Sequence, residues 1–140
     1  DGVLVVDDYG HHPTEVAAAV TTAAESHDRR IVVVFQPHRF TRTRDLHQRF
    51  SGCFDRADEL FITEVYGAGE NPIPGINGEL IYRSALKGGL RKITYIPGWD
   101  DLEKAVSATL KEGDLLLTLG AGDIYMLGED YLDKDKESEN

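Results

Sequence analysis

The chain contains only one cysteine, and this scarcity excludes several classes of protein. A single cysteine, Cys53, cannot form an internal disulfide, and without a cysteine pair a structural zinc site is not expected. The chain also lacks any apolar run near the roughly 20 residues of a membrane span, and it lacks a basic-then-apolar signal segment. We therefore predict a cytoplasmic protein with no membrane partner and no metal site of its own. Because it begins at Asp1, we interpret it as part of a longer protein.

Positive charge is also in short supply. Fifteen Lys and Arg face 25 Asp and Glu, giving a net charge of −10, which argues against a nucleic-acid partner. The last eight residues, 133–140, contain no apolar side chain, and we predict that they form an acidic, disordered tail. Residues 36–44 are the exception, with three arginines, one histidine and no acid. A basic island in an acidic domain predicts the binding of a small anion.

Five apolar runs alternate with helical patterns along the rest of the chain. The runs at 31–35 and 114–119 are almost wholly apolar, which is typical of strands covered on both faces. This alternation predicts a three-layer, doubly wound α/β fold of the Rossmann-like kind. Its mainly parallel sheet would have about five to six strands, with helices on both faces. We predict one domain over residues 1–132, with a second helix that carries the apolar stripe from Leu46 to Phe54 and a last helix that ends near Leu132.

The stretch 3–15, VLVVDDYGHHPTE, concentrates the most chemistry in the fewest residues. An apolar strand ends at two acids, Asp7 and Asp8, and Tyr9 and His11 follow before a helix that begins at Pro13. Ligands of open α/β sheets gather at the carboxyl ends of strands, where such turns lie. The acids could also simply cap a turn, and one of the two histidines could be a helix cap or a packing residue.

Three more turns with polar or glycine residues follow predicted strands, at 36–42, 64–70 and 120–123. In the predicted fold all four turns lie at one edge of the sheet, which indicates a shared site. His38, Arg39 and Arg42 surround the start of a helix and predict binding of a carboxylate or phosphate, the alternative being solvated surface arginines. Gly120, Ala121, Gly122 and Asp123 do not complete a dinucleotide fingerprint, but their backbone amides suit an anionic or carbonyl ligand.

No GxxxxGK[ST] motif and no recognisable Ser-His-Asp arrangement occurs in the chain. The sequence therefore predicts half of a site rather than a self-sufficient enzyme. Four segments read together resemble the C-terminal domain of the Mur ligase family over residues 1–132: DDYGHHPTE, FQPHRFTRTR, EVYGAGENPIPG and GDLLLTLGAGDI. The YGHHP and PHRFTR strings are similar to those of the member that adds L-alanine to UDP-N-acetylmuramate. The member that recycles murein peptides is kept as an alternative, and a non-catalytic module that binds an anionic nucleotide is another.

The resemblance implies a three-domain enzyme in which this chain closes over an N-terminal domain for the UDP-sugar and a central domain with the P-loop. The implied cofactors are ATP and Mg²⁺, with the metal ligands mostly in the central domain. ATP would activate the lactyl carboxylate of UDP-N-acetylmuramate as an acyl phosphate, which the amine of L-alanine then attacks. The implied residues are Asp8, Tyr9 and His11 for the nucleotide; His11, His38 and Arg39 for catalysis; and Tyr9, Arg39, Arg42 and Gly120 to Asp123 for substrate.

Overall fold

A computed structural model describes residues 2–139 of the chain, which form a five-stranded parallel sheet between two layers of helices. The strands are β1 (Leu4–Asp8), β2 (Ile31–Phe35), β3 (Glu59–Ile62), β4 (Ile93–Tyr95) and β5 (Leu115–Leu119). The helices are α1 (Pro13–Ser26), α2 (Phe40–Leu46), α3 (Glu79–Lys87), α4 (Trp99–Thr109) and α5 (Tyr125–Glu139). The strand order is β1-β5-β2-β3-β4, and every neighbouring pair is parallel. The three-layer, doubly wound α/β fold predicted from the sequence is confirmed.

Two apolar cores lie on opposite faces of the sheet. On one face, α1, α3 and the segment that follows α2 cover alternate strand residues, with Val16, Phe54 and Ile81 all at most 1% exposed. On the other face, α4 and α5 bury Leu102 and Leu127 against the remaining strand residues. Because β2 and β5 are central and covered on both faces, all ten of their residues are buried, as their unbroken apolar sequence predicts.

The helix that follows β5 lies on the opposite face of the sheet from the helices that follow its neighbours β1 and β2. This reversal creates a crevice at the carboxyl end of β5. The chain passes from β1 and β2 to the layer of α1, whereas it passes from β5 to α5 in the opposite layer. The strands end in register, since Leu119 pairs with both Asp8 and Phe35. Ligands of doubly wound folds bind at such a switch point, outside the carboxyl ends of the strands.

The segment after α2 differs from the single long helix that the sequence predicts. The α-helix ends at Leu46, a 3-10 helix follows at His47–Phe50, and residues 51–56 form turns. Ser51 and Gly52 are weak helix formers at this point, and burial rather than helical continuity places the aromatic rings. Phe50 and Phe54 still pack on Phe35, at ring-centroid distances of 5.3 and 5.4 Å.

The last helix also differs from the sequence expectation. The sequence predicts a helix end near Leu132 and a disordered tail over 133–140, whereas α5 continues through Glu139. The periodic apolar signal ends at Leu132, so a helix that continues with acidic and lysine residues leaves no apolar pattern to read. The final residue of the predicted tail lies outside the described residues. No helix within residues 2–139 is long and apolar enough to cross a membrane.

Candidate functional site

The four turns that follow β1, β2, β3 and β5 meet at one edge of the sheet, here called the rim (residues 7–12, 36–42, 64–70 and 120–123). Backbone hydrogen bonds connect them directly. The amide of Gly120 donates to Asp8 O at 3.1 Å, and the amide of Gln36 donates to Leu119 O at 2.9 Å. The amide of Tyr66 donates to Pro37 O at 2.8 Å. The rim is therefore one continuous hydrogen-bonded surface, as the parallel register requires.

The two acids at the end of β1 point to opposite faces of the sheet. Asp8 Oδ1 accepts a hydrogen bond from the amide of Gly10 at 2.8 Å and so folds the turn toward α1. Asp7 Oδ1 accepts one from the Thr118 hydroxyl at 2.6 Å on the other face. Successive strand residues alternate between faces, so this pair of carboxylates cannot hold one ion together.

Glu15 organises the histidine turn from the first turn of α1. Its Oε1 atom accepts hydrogen bonds from the amides of His11 and His12, each at 3.1 Å. These two backbone bonds lower the pKa of Glu15. The ring of His11, thus positioned, lies 5.2 Å from that of His38, and Tyr9 meets His11 edge-on at 6.3 Å. His12 instead occupies the N-cap of α1, so the two adjacent histidines have separate positions.

A groove of about 530 Å³ runs from this turn along α1 and the exposed face of β1. Its floor is apolar, with Val6, Ala19 and Leu117, and Asp8, Tyr9 and His11 lie at its rim end. Tyr9 is 69% exposed although it is a large aromatic residue. An apolar floor with polar groups at one end is typical of a pocket for a small organic ligand.

The turn after β2 places the basic residues, but the structure corrects one part of the sequence argument. The start of α2 already has an anion, because Glu70 accepts hydrogen bonds from the amide of Thr41 at 3.1 Å and from its hydroxyl at 2.5 Å. These bonds, the side-chain bond first, lower the pKa of Glu70. Arginines near this helix end therefore do not need an external anion to offset the helix dipole. Arg39 itself adopts a positive φ of 70°, a backbone conformation that is strained for a non-glycine residue.

Three buried polar atoms at the rim have no hydrogen-bond partner among the described residues. They are Gln36 Oε1, His38 Nδ1 and Arg42 Nη1. Burial, followed by the charges of His11, Arg42 and Arg39, lowers the pKa of His38. His38 therefore favours its neutral form, which can accept a proton. An unpaired buried polar group costs about 1 to 3 kcal/mol, so three in one place indicate a site rather than an ordinary surface.

The glycine turn after β5 packs tightly against the other turns. Gln36 Nε2 donates to Asp123 Oδ1 at 2.7 Å and joins the β2 and β5 turns. A Cβ atom at Gly122 would lie only 2.5 Å from Cγ of Tyr66, so any side chain there would force the ring to shift. Tyr66 in turn stacks on His38, with ring centroids 5.7 Å apart and planes 15° apart. Gly120, with φ of 155°, lies against the backbone of Gln36.

The structure thus brings all the predicted site residues to the rim, in two neighbouring groups. One group lies at the groove and contains Asp8, Tyr9 and His11. The other surrounds the stacked rings of His38 and Tyr66 and contains Arg39, Arg42 and the turn Gly120 to Asp123. The contact between the rings of His11 and His38 joins them. Sequence reasoning missed Gln36, although a glutamine that directly follows a fully apolar strand is a signal of a buried polar group at a strand end.

Within the described part of the chain, no group of three His, Cys, Asp or Glu residues lies close enough to hold a metal ion. Asp7 and Asp8 diverge, and Glu15 and Glu70 already accept hydrogen bonds from the backbone. These carboxylates do not fit a Mg²⁺ site, which takes near-octahedral oxygen ligands.

Comparison with known proteins places these features in a family. The family model described as Mur ligase, glutamate ligase domain, matches residues 1–122. A protein named UDP-N-acetylmuramate–L-alanine ligase, from Solidesulfovibrio magneticus, is 47% identical over 137 residues, 97% of this chain. The chain spans only 30% of that relative's length.

Solved structures share the fold at lower sequence identity. The murein peptide ligase from Psychrobacter arcticus has a TM-score of 0.73 at 20% identity, covering 94% of this chain and 27% of the ligase. The MurF ligase from Thermotoga maritima, solved in complex with ADP, has a TM-score of 0.63 at 16% identity. That alignment covers 100% of this chain and 30% of the ligase. These likenesses support the architecture described above.

Proposed function

Because the chain belongs to the Mur ligase family, we propose that residues 1–132 are the C-terminal, closing domain of an ATP-dependent ligase that joins L-alanine to UDP-N-acetylmuramate. The relative at 47% identity carries that name and supports the choice of substrates. The observation that carries the proposal is the convergence of His11, His38, Arg39 and Arg42 with the glycine turn on one rim. The proposal includes a cytoplasmic location and Mg²⁺ bound with ATP, with its ligands mostly in the upstream central domain.

The proposed chemistry has two steps. The lactyl carboxylate of UDP-N-acetylmuramate takes the γ-phosphoryl group of ATP and forms an acyl phosphate, with release of ADP. The amine of L-alanine then attacks the acyl carbon, phosphate leaves, and the amine gives up a proton. An acyl phosphate hydrolyses in water, so a domain that closes over the site and excludes solvent protects it.

The rim residues take roles in this scheme that match their surroundings. Asp8, Tyr9 and His11 lie at the end of the groove and would contact the nucleotide, with Asp8 toward a ribose hydroxyl. Arg39 and Arg42 would bind the carboxylate of L-alanine, since guanidinium groups pair well with carboxylates. The amides from Gly120 to Asp123 would face the incoming amino acid.

Two histidines are candidates for the proton acceptor. His38 has a lowered pKa, mainly through burial, and is therefore neutral and available as a base near pH 7. His11 lies next to it, with Nδ1 3.2 Å from Tyr9 O, and could receive or orient the same proton. Arg39 would stabilise negative charge as it develops at the reacting carbonyl.

The test uses the full-length enzyme and the 140-residue chain side by side. In the full-length enzyme, we expect ADP release that depends on both UDP-N-acetylmuramate and L-alanine. The chain alone should neither ligate nor hydrolyse ATP, because it contains no GxxxxGK[ST] motif. Robust ATP hydrolysis by the chain alone would refute the proposal.

Two further outcomes would favour the alternatives. Use of a preformed murein peptide in place of L-alanine would identify a recycling ligase. Nucleotide binding by the chain alone with a sub-micromolar Kd, stronger than about −8 kcal/mol, would favour a non-catalytic nucleotide-binding module. Isothermal titration calorimetry measures that affinity directly.

A further inference from the structure

Gln36 is the most deeply buried polar side chain at the rim, and it is only half satisfied. Its side chain follows the fully buried strand β2, and the residue is 5% exposed. Its Nε2 atom donates to Asp123 Oδ1, but its Oε1 atom has no hydrogen-bond partner among the described residues. A buried carbonyl oxygen without a partner destabilises the fold, so its presence at a candidate site calls for a functional reason.

The orientation of the Gln36 amide is fixed by its neighbour. An ionised Asp123 carboxylate can only accept hydrogen bonds, so it selects the NH₂ group of Gln36 at 2.7 Å. The carbonyl oxygen must then point the other way. It points to the glycine turn, where a Cβ atom on Gly122 would lie 2.8 Å from it.

The ring of Tyr66 lies next to this oxygen at the rim. The ring of Tyr66 packs against the same face of Gly122, and a Cβ atom there would also lie 2.5 Å from its Cγ. Tyr66 is 37% exposed and belongs to the turn after β3, so its ring lies between Gln36 and solvent. Access to Gln36 Oε1 from the rim requires this ring to rotate away from Gly122 and from its stacking contact with His38.

Two of the unpaired atoms at the rim have opposite hydrogen-bonding roles. Gln36 Oε1 is an acceptor, whereas Arg42 Nη1 is a donor that carries positive charge. A free amino acid presents the matching pair of groups, an amine that donates and a carboxylate that accepts. A carboxylate or phosphate alone would pair the arginine and leave the glutamine oxygen unpaired.

We propose that Gln36 is a specificity-determining residue whose carbonyl oxygen accepts a hydrogen bond from the amine of the incoming amino acid. This inference rests on the proposed function. Asp123 holds the amide in the orientation that exposes this oxygen, and Tyr66 covers it until the amino acid enters. The carboxylate end of the same amino acid pairs with Arg42.

The test replaces Gln36 with methionine in the full-length enzyme, because Gln36→Met keeps the length of the side chain and removes both polar groups. We expect the KM for L-alanine to rise about tenfold or more, as one lost hydrogen bond to a charged group predicts. The KM values for ATP and UDP-N-acetylmuramate should stay within about twofold, since the contact is made only with the amino acid. Steady-state kinetics with each substrate varied in turn measures all three.

A thermal melt separates this role from a purely structural one. Removing an unpaired buried oxygen offsets the loss of the bond to Asp123, so the Tm of Gln36→Met should fall no further than that of a control. The matched control is Thr63→Val, at a buried residue that directly follows β3 and whose hydroxyl donates to Pro97 O at 3.4 Å. A large loss of Tm with all three KM values raised together would overturn the proposal, as would an unchanged KM for L-alanine.

A second variant keeps the proposal testable if Gln36→Met does not fold. Gln36→Glu alone places two carboxylates together, whereas Gln36→Glu combined with Asp123→Asn restores the bond with donor and acceptor exchanged. The pair also keeps an acceptor oxygen beside Gly122, so we expect it to recover most of the L-alanine KM lost in Gln36→Glu. No recovery would overturn the proposal. A wild-type enzyme that does not ligate L-alanine would instead refute the proposed function itself.

Discussion

Polar side chains at the two ends of the parallel sheet differ in whether their hydrogen bonds are satisfied within the protein. At the amino end, Arg30 donates to both carboxylate oxygens of Asp114, at 3.1 and 2.7 Å, and also to Thr109 O. Asp114 additionally accepts a hydrogen bond from the amide of Lys111 at 2.8 Å. At the rim, by contrast, Gln36, His38 and Arg42 each bury a polar atom without a partner in residues 2–139.

This difference separates a structural polar network from a functional one. Both carboxylate oxygens of Asp114 already have hydrogen-bond partners, and its side chain is only 5% exposed. The Arg30–Asp114 pair therefore has a structural role and is not available to another molecule. The rim leaves its hydrogen-bonding capacity for another molecule and accepts a cost in stability. Substitutions at the two ends should therefore change different quantities.

The largest effect on stability should follow from Arg30→Met, which breaks the ion pair with Asp114. This change leaves Asp114 buried without its counter-charge, and we expect the free energy of unfolding to fall by about 3 kcal/mol. We take the low end of the range for buried pairs because the Arg30 side chain is 28% exposed. Urea denaturation of the 140-residue chain measures the change. The exposed pair of Arg83 and Glu79 is the control, and Arg83→Ala should cost less than about 1 kcal/mol.

The next effect should appear at the rim and in activity rather than stability. Arg39→Ala combined with Arg42→Ala should lower kcat/KM for L-alanine by about a hundredfold, because charged hydrogen bonds to the substrate are lost. The free energy of unfolding should not fall, because Arg42→Ala removes a buried donor that has no partner within residues 2–139. Arg44→Ala, on an exposed arginine that pairs with the exposed Asp45, provides the control. Unchanged kinetics in the double variant would remove both arginines from the site.

A smaller effect is expected from the glycine turn. Gly122→Ala adds a Cβ atom 2.5 Å from Tyr66 Cγ and 2.8 Å from Gln36 Oε1, so the ring and the amide must both shift. We expect kcat/KM to fall about tenfold, with a modest loss of stability. Gly52→Ala is the control, since its Cβ atom would meet only Asp55 Oδ2, at 3.6 Å. Equal effects of the two variants would contradict the tight packing of the rim.

The smallest effect should be a difference in pH dependence. Burial, followed by the electrostatic effects of His11, Arg42 and Arg39, holds the pKa of His38 below 6.5, so the unfolded chain binds more protons there and stability declines as pH falls below about 6.5. Burial alone would raise the pKa of Asp114, but the bonds from Arg30 and Lys111 outweigh it and lower the pKa. Its stabilisation is complete above pH 3.8 and is lost as the pH falls through the lowered pKa.

Denaturation at a series of pH values separates these two ranges. His38→Asn should flatten the decline below pH 6.5 and leave the acid limb unchanged. Arg30→Met should remove the contribution that Asp114 makes to the acid limb and leave the decline near pH 6 as it is. A decline near pH 6 that persists in His38→Asn would assign it to another group.

Much of the fold could be predicted because strong local signals agree with the tertiary structure. The run 31–35 gave the bounds of β2 to the residue, and Pro13 marked the start of α1. The end of β3 could not be predicted in the same way: the pattern of residues 59–65 predicts a strand up to Val65, whereas the strand ends at Ile62. Just after β3, the Glu64 carboxylate accepts hydrogen bonds from the amides of Val65 and Gly78, at 2.7 and 3.1 Å, and the chain leaves the sheet at this point. The bond between Glu64 and Gly78 joins residues 14 positions apart, so a local sequence pattern cannot predict it.

The sequence by itself determined the alternation of strands and helices, and hence the edge at which the four turns gather, because apolar periodicity and chain direction are local properties. Only the tertiary structure decided the partners within that edge. Glu70 reaches Thr41 across 29 positions and Gln36 reaches Asp123 across 87, while Arg30 and Asp114 meet across 84. These contacts depend on strand order and register, which bring together side chains that no spacing in the sequence relates.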